Sequence, residues 1–291
     1  EHFEQTLEAD FSYEVPGVSR FRVNAYQQIR GMSVAFRAIP NKVPSLADLQ
    51  APEVFTDFAL RPRGLVLVTG PTGSGKSTTL AAMIHELNRT HAKHVLTIED
   101  PIEFVYEPNR CLINQREVGS QTLNFANALR AAMREDPNVI LVGEMRDLET
   151  IRLAITAAET GHLVLATLHT SGAAKAIDRI IDVFPGDEKS VVRSMLSESL
   201  TAVISQVLCK RADGPGRVAA YEIMEGNSAV RNLIRESKVA QLYSAMQTGS
   251  NVGMQTLDQA LTRLLQQGRI SKEEAASKAR YPENFGVREA A

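Results

Sequence analysis

Residues 70 to 77 read GPTGSGKS, and no other stretch limits the fold as tightly. The spacing G-x-x-x-x-G-K-[S/T] lies between an apolar run, GLVLVT at 64 to 69, and a segment with helical spacing that continues to Met83. A turn that closes a strand and opens a helix gathers backbone N–H groups at the helix's positive end, where phosphate is held. Gly70, Pro71, Thr72, Gly73, Ser74, Gly75, Lys76, Ser77 and Thr78 are therefore the expected nucleotide contacts. Lys76 would reach the outer phosphates and the Ser77 hydroxyl would ligate magnesium, so ATP and Mg2+ are the expected ligands.

The rest of the chain extends that motif into an α/β domain. HVLTIE (94 to 99), NVILVG (138 to 143) and HLVLATL (162 to 168) repeat the short apolar run of 64 to 69, the pattern of parallel strands buried on both faces. Between them, 122 to 136 and 148 to 161 have helical spacing and stop at Pro137 and Gly161. Downstream, 187 to 208, 228 to 236, 257 to 268 and 271 to 279 read as helices, the last with a Ser271 to Glu274 capping box. The final residues, 280 to 291, read as a loose tail. Upstream, 11 to 38 alternates instead: Phe21, Val23 and Ala25 against Arg20, Arg22 and Asn24, the period of a half-buried antiparallel strand. Turns at Pro16-Gly17 and Arg30-Gly31 make it a small meander, and the two prolines of IPNKVPSL (39 to 46) read as a linker that stiffens without packing.

Composition narrows the setting. A chain of 291 residues with 44% hydrophobic content suits one large domain and a smaller piece, and its net charge of -2 offers no bulk attraction to nucleic acid. Cys111 and Cys209 form no C-x-x-C pair, which points away from a zinc module or disulfide framework and toward a reducing, cytoplasmic setting. No apolar stretch approaches the roughly 18 residues that span a bilayer. The start, Glu1-His2-Phe3, leads us to expect that an upstream segment belongs to the natural protein.

Two acidic sources stand where a magnesium–phosphate site would need them. Glu144 follows the strand NVILVG, at the end that faces the phosphate loop in a parallel sheet. Glu99, Asp100 and Glu103 follow another strand in IEDPIE. One carboxylate can hold the metal's water while the other orients the attacking water; strand-end solvation also places acids at such positions. His162 and His169 bracket LVLATL and are roughly 23 Å apart on a regular strand. His169 is the better γ-phosphate sensor, and His162 is as readily a cap or interface residue. Arg61 and Arg63 precede the first strand of the α/β part, while Arg20 and Arg22 share a strand face where solvated arginines are common. A transition-state arginine can nevertheless come from a neighbouring domain or subunit.

Taken in order, GPTGSGKS, TIEDPIE, ILVGE and HLVLATLH resemble the Walker A loop, Asp box, Walker B motif and His box of the secretion ATPase superfamily. AVRNLIRE (229 to 236) and GMQTLDQAL are similar to the type IV pilus retraction ATPases within it, the PilT-like group. That resemblance implies a RecA-like P-loop ATPase domain (52–291) joined by a linker (39–51) to part of a PAS-like α+β N-terminal domain (1–38). It implies a homohexamer that hydrolyses ATP to power pilus depolymerisation and twitching motility. The expected partner is an inner-membrane pilus platform protein, and no nucleic acid. The motor would sit in the cytoplasm at the inner face of the membrane. By position, Glu103 becomes the candidate general base, Glu144 the magnesium residue acting through water, and His169 the sensor. Arg20, Arg22 and Arg63 match basic positions aimed at the nucleotide. The four-cysteine zinc insertion of assembly and type II secretion relatives is missing, which argues against those ATPases; they, and a nucleotide-dependent switch or scaffold, are the competing readings.

Overall fold

The computed structural model describes residues 2–39 and 42–286. A short helix, α1 (His2–Thr6), leads into an antiparallel sheet of β1 (Glu8–Val15), β2 (Ser19–Gln28) and β3 (Gly31–Ile39), paired in that order. Residues directly opposed across paired strands point to the same face, so the register sorts the chemistry of this sheet. Phe11, Val23 and Phe36 share one face; Ser12, Arg22 and Arg37 share the other.

The larger part begins with α2 (Val54–Ala59), β4 (Gly64–Thr69), α3 (Lys76–Thr90), β5 (His94–Glu99) and β6 (Leu112–Glu117). It continues through α4 (Phe125–Ala132), β7 (Val139–Val142), α5 (Leu148–Glu159), β8 (Leu163–Leu168), α6 (Ala173–Asp182) and α7 (Lys189–Ser199). It closes with β9 (Leu200–Lys210), β10 (Arg217–Glu225), α8 (Ser228–Arg235), α9 (Leu242–Thr248), α10 (Leu257–Gln266) and α11 (Lys272–Lys278). The sheet runs β10-β9-β4-β8-β7-β5-β6, parallel throughout except where β10 pairs antiparallel with β9. No helix among the described residues is long and apolar enough to cross a membrane.

Alternation along β4 shows why its run has no polar residue until Thr69. Leu65 and Leu67 join a core with α4, α5, α6, α7 and α8, while Val66 and Val68 join one with α2 and α3. Both faces are thus dry, and β4 sits centrally. Side chains fix the helix starts: Asn124 accepts from the Asn127 N–H at α4, Asp147 from Thr150 at α5, and Asn227 from Val230 at α8. Each satisfies one donor that the first turn leaves unpaired.

The structure departs from the sequence reading in several places. The helix expected over 187 to 208 ends at Ser199, because Leu200, Ala202, Val203 and Ile204 pair with β4 as a strand buried on both faces. Strands β6 and β10 lie where no strand was expected, and α4 is shorter than its periodic stretch. The segment 43–51 packs, contrary to the linker expectation: Leu46 is buried and Val43 and Leu49 lie against the α2–α3 core. At α11 only half of the capping box forms, since Glu274 accepts from the Lys210 N–H instead of reaching back; the closed box belongs to Thr256 and Gln259 at α10. Of the expected tail, Phe285 is buried against α11, and 287–291 lie outside the described residues.

Candidate active site

Strand β4 delivers the chain to the phosphate loop at Thr69, and α3 carries it away from Lys76. Gly70 has φ 142°, and a Cβ there would lie 2.4 Å from the Gln206 carbonyl oxygen, so the first glycine of the motif is sterically fixed. Gly73 (φ 77°) faces open space and is required only by its left-handed backbone. Lys76 is buried and its Nζ donates to the carbonyls of Gly70 (3.0 Å) and Pro71 (3.2 Å). Burial lowers the ammonium's pKa against the pull of Glu144 and Glu103. Ser74 Oγ and Thr69 Oγ1 are buried without a hydrogen-bond partner, and Ser77 is exposed beside them. A buried cation with two carbonyl partners, orphaned hydroxyls and a loop of left-handed glycines fit a phosphate chain.

A residue that motif reading passes over secures this loop. Gln206 of β9, 1% exposed, donates from Nε2 to the Ser74 carbonyl (2.6 Å) and accepts from the Thr79 hydroxyl (2.8 Å). It splints the loop's exit to the neighbouring strand. Its only sequence signal is that it is the lone amide within the apolar run of β9.

The carboxylates converge from two strand ends. Glu144, two residues beyond β7, has Oε2 at 2.7 Å from Arg146 Nη2 and 3.3 Å from His169 Nε2. Burial works to raise its pKa, but the Arg146 hydrogen bond and the adjacent His169 outweigh it and hold the carboxyl below the usual glutamate range. The Thr167 hydroxyl donates to the Gly143 carbonyl and the Met145 N–H to the Thr167 carbonyl, which locks the ends of β7 and β8 together. Glu103 is half-buried in the loop after β5, beyond the cis Asp100-Pro101 bond. Glu99 is buried, accepts from Thr97 Oγ1 at 2.7 Å, and burial pushes its carboxyl up to about 7.

One cavity of about 600 Å³ touches the phosphate loop, Glu103, Glu144, His169 and, from the polar face of the N-terminal sheet, Arg22 and Arg37. Arg22 Nη2 is 2.7 Å from Asp10 Oδ2; that hydrogen bond, with the charges of Glu103 and Asp100 behind it, raises its pKa. The other expected arginines are not brought here. Arg20, two residues before Arg22, turns to the Ser12 hydroxyl and Glu117, because that carboxylate stands opposite its end of β2. Arg63 is exposed just ahead of β4, at the end opposite the loop. His162 shares that far end, its Nδ1 2.9 Å from the Ala157 carbonyl oxygen, and so caps α5. Arg37, Arg146 and Arg217 line the cavity without having been singled out by the sequence reading. Among the described residues no group of three His, Cys, Asp or Glu side chains is arranged to hold a metal. A cation here would rest on Ser77 and on oxygens other than a protein cage, as magnesium at phosphates does.

A family model described as "Type II/IV secretion system protein" matches residues 8–277. The chain belongs to that family. Among secretion system proteins, it is 66% identical over 283 residues to a type IV pilus retraction ATPase, PilT, of Pseudomonas aeruginosa, an alignment covering 97% of this chain and 82% of that one. It is 63% identical over 283 residues to a twitching motility protein of Neisseria gonorrhoeae, covering 97% and 76%. The crystal structure of a pilus retraction motor PilT with bound ADP superposes with a TM-score of 0.90 at 49% identity, covering 97% of this chain and 80% of that one. At that likeness the secretion ATPase fold, a parallel RecA-like sheet preceded by an antiparallel sheet, is shared across both parts.

Proposed function

We infer that this protein is an ATP-hydrolysing motor of type IV pilus retraction. The carrying observation is the single cavity in which phosphate loop, Glu103, Glu144, His169 and Arg22 meet. Identity of 66% to a retraction ATPase over nearly the whole chain supports the same reading.

Placement around that cavity supports the following roles. Loop N–H groups and Lys76 bind the β- and γ-phosphates, with Lys76 exchanging its carbonyl partners for phosphate oxygens. Magnesium, when bound at Ser77, neutralises phosphate charge. Glu144, kept anionic by Arg146 and His169, orients water on the metal side. Glu103, on the facing loop, accepts the proton of the attacking water. His169 registers whether the terminal phosphate is present through its bond to Glu144, and Arg22 brings positive charge from the N-terminal sheet. Residues 1–38, as part of a PAS-like domain, close on the ATPase domain, 52–291, through the connection at 39–51. Six copies in a ring would couple those closures and pull on a pilus platform protein from the cytoplasmic side of the inner membrane. No nucleic acid takes part.

The test is steady-state ATP turnover against protein concentration, with mass measured in parallel, for the wild type and Glu144→Ala. A rate per subunit that climbs as a six-fold assembly forms, and vanishes in the variant, supports the motor. An assembly that binds nucleotide and never turns it over would favour a switch or scaffold instead.

A further inference from the structure

Glu117 is absent from every motif and does not line the cavity, yet it is the buried carboxylate on which the two parts of the molecule meet. It ends β6, the edge strand, and pairs with Glu99 of β5 in register. Its Oε2 accepts from the backbone N–H of Ile102 at 2.9 Å, the residue before Glu103. The same oxygen accepts from the Ser12 hydroxyl of β1 at 3.0 Å and stands 3.6 Å from Arg20 Nη2 of β2. Arg20 in turn donates to Ser12 at 2.5 Å. Oε1 takes the Ser120 hydroxyl at 3.4 Å, so both oxygens are committed.

The geometry points to Glu117 as a positioning residue for hydrolysis, one that makes the placement of Glu103 depend on docking of the N-terminal sheet. The argument rests on the ATPase reading above. Glu103 stands in a loop, and a loop side chain is only as well placed as the backbone beneath it. Glu117 anchors that backbone one residue away. When the sheet docks, Ser12 and Arg20 complete the carboxylate's shell and hold it where the Ile102 N–H needs it. When the sheet withdraws, Glu117 loses its hydroxyl donor and its cation together, and of the contacts on that oxygen the Ile102 N–H alone stays, too little to fix the carboxylate's position. Binding and chemistry then separate: the phosphate loop, Gln206 and Lys76 remain in place without the sheet, whereas the base does not. Arg20 thus acts through Glu117, and Arg22, from the same strand, acts at the cavity.

The experiment compares kcat, KM and ATP affinity in Glu117→Ala, Glu117→Gln, Ser12→Ala and the Ser12→Ala/Glu117→Ala double variant, using the full chain. Because a displacement near 1 Å can cost a hundredfold in rate, Glu117→Ala should lose about tenfold to a hundredfold in kcat while binding ATP within about twofold of wild type. Glu117→Gln keeps an acceptor for Ile102 and Ser12 and should recover most of that loss. The double variant should be no slower than Glu117→Ala alone, the non-additivity of two groups in one device. Unchanged kcat in Glu117→Ala, or ATP affinity and rate falling together, or additive losses in the double variant, would each overturn the assignment. A wild type that does not hydrolyse ATP would instead remove the ATPase reading on which it rests.

Discussion

Gln206 and Glu99 carry the residue-scale consequences. With Gln206→Ala the Ser74 carbonyl and Thr79 hydroxyl lose their buried partner, a change worth about 1–3 kcal/mol for each buried group left unpaired. The loop would loosen at its exit, so ATP affinity should fall about tenfold or more while Glu103 and Glu144 keep their places. Titration with a fluorescent ATP analogue reads this, and unaltered affinity would show that the loop holds itself. Glu99 bears on stability. Its carboxyl rises from 4.5 to about 7 on folding, so the folded chain keeps a proton that the unfolded chain releases. Stability is lost as pH climbs from 4.5 toward 7, reaching roughly 3 kcal/mol above that window. Glu99→Gln should therefore gain several degrees in Tm relative to wild type at pH 8 and lose that advantage at pH 5. Equal differences at both pH values would count against burial as the cause.

At the scale of elements, α8 carries the segment AVRNLIRE. Val230 and Ile234 are fully buried in the core shared with α7, Leu233 packs against its margin, and Arg235 pairs with Glu198 at the surface, 2.7 Å apart. No residue of α8 lines the nucleotide cavity. Leu233→Ala and Arg235→Ala should therefore leave ATP turnover within about threefold of wild type and abolish twitching in cells that depend on this chain. For the exposed ion pair the cost in stability is at most about 1 kcal/mol. Turnover as low as in Lys76→Ala would join the helix to the chemistry.

The same scale shows what the sequence could disclose. β4, β5, β7 and β8 were legible because both-face burial demands unbroken apolar runs. The joint between Ser199 and Leu200 carries no Gly or Pro, so periodicity reads straight through it, and β9 with Gln206 is missed. Glu103, Glu144 and His169 were legible because parallel strands deliver their carboxyl ends to one side. Arg20 and Arg22 were not separable: they alternate on one face, and only the tertiary position of Glu117 sends one to a structural carboxylate and the other to the cavity.

For the whole molecule, Arg63 is the residue that asks about neighbours. The six residues of β4 separate it from the phosphate loop, roughly 20 Å at strand rise. It can serve only a nucleotide held by another copy. Mixing Lys76→Ala with Arg63→Ala subunits, each inactive alone, should then restore part of the turnover, because some interfaces would pair an intact loop with an intact arginine. No recovery would leave Arg63 a solvated strand-end charge.

The N-terminal sheet turns its charged face to the ATPase domain and shares none of that domain's three apolar clusters. A seam that holds through Ser12, Arg20 and Glu117 can part without opening any of those clusters. Its opening should leave heat capacity nearly untouched and respond instead to ionic strength. Such a joint is a latch of charge, and opening it need not melt any of the three apolar clusters.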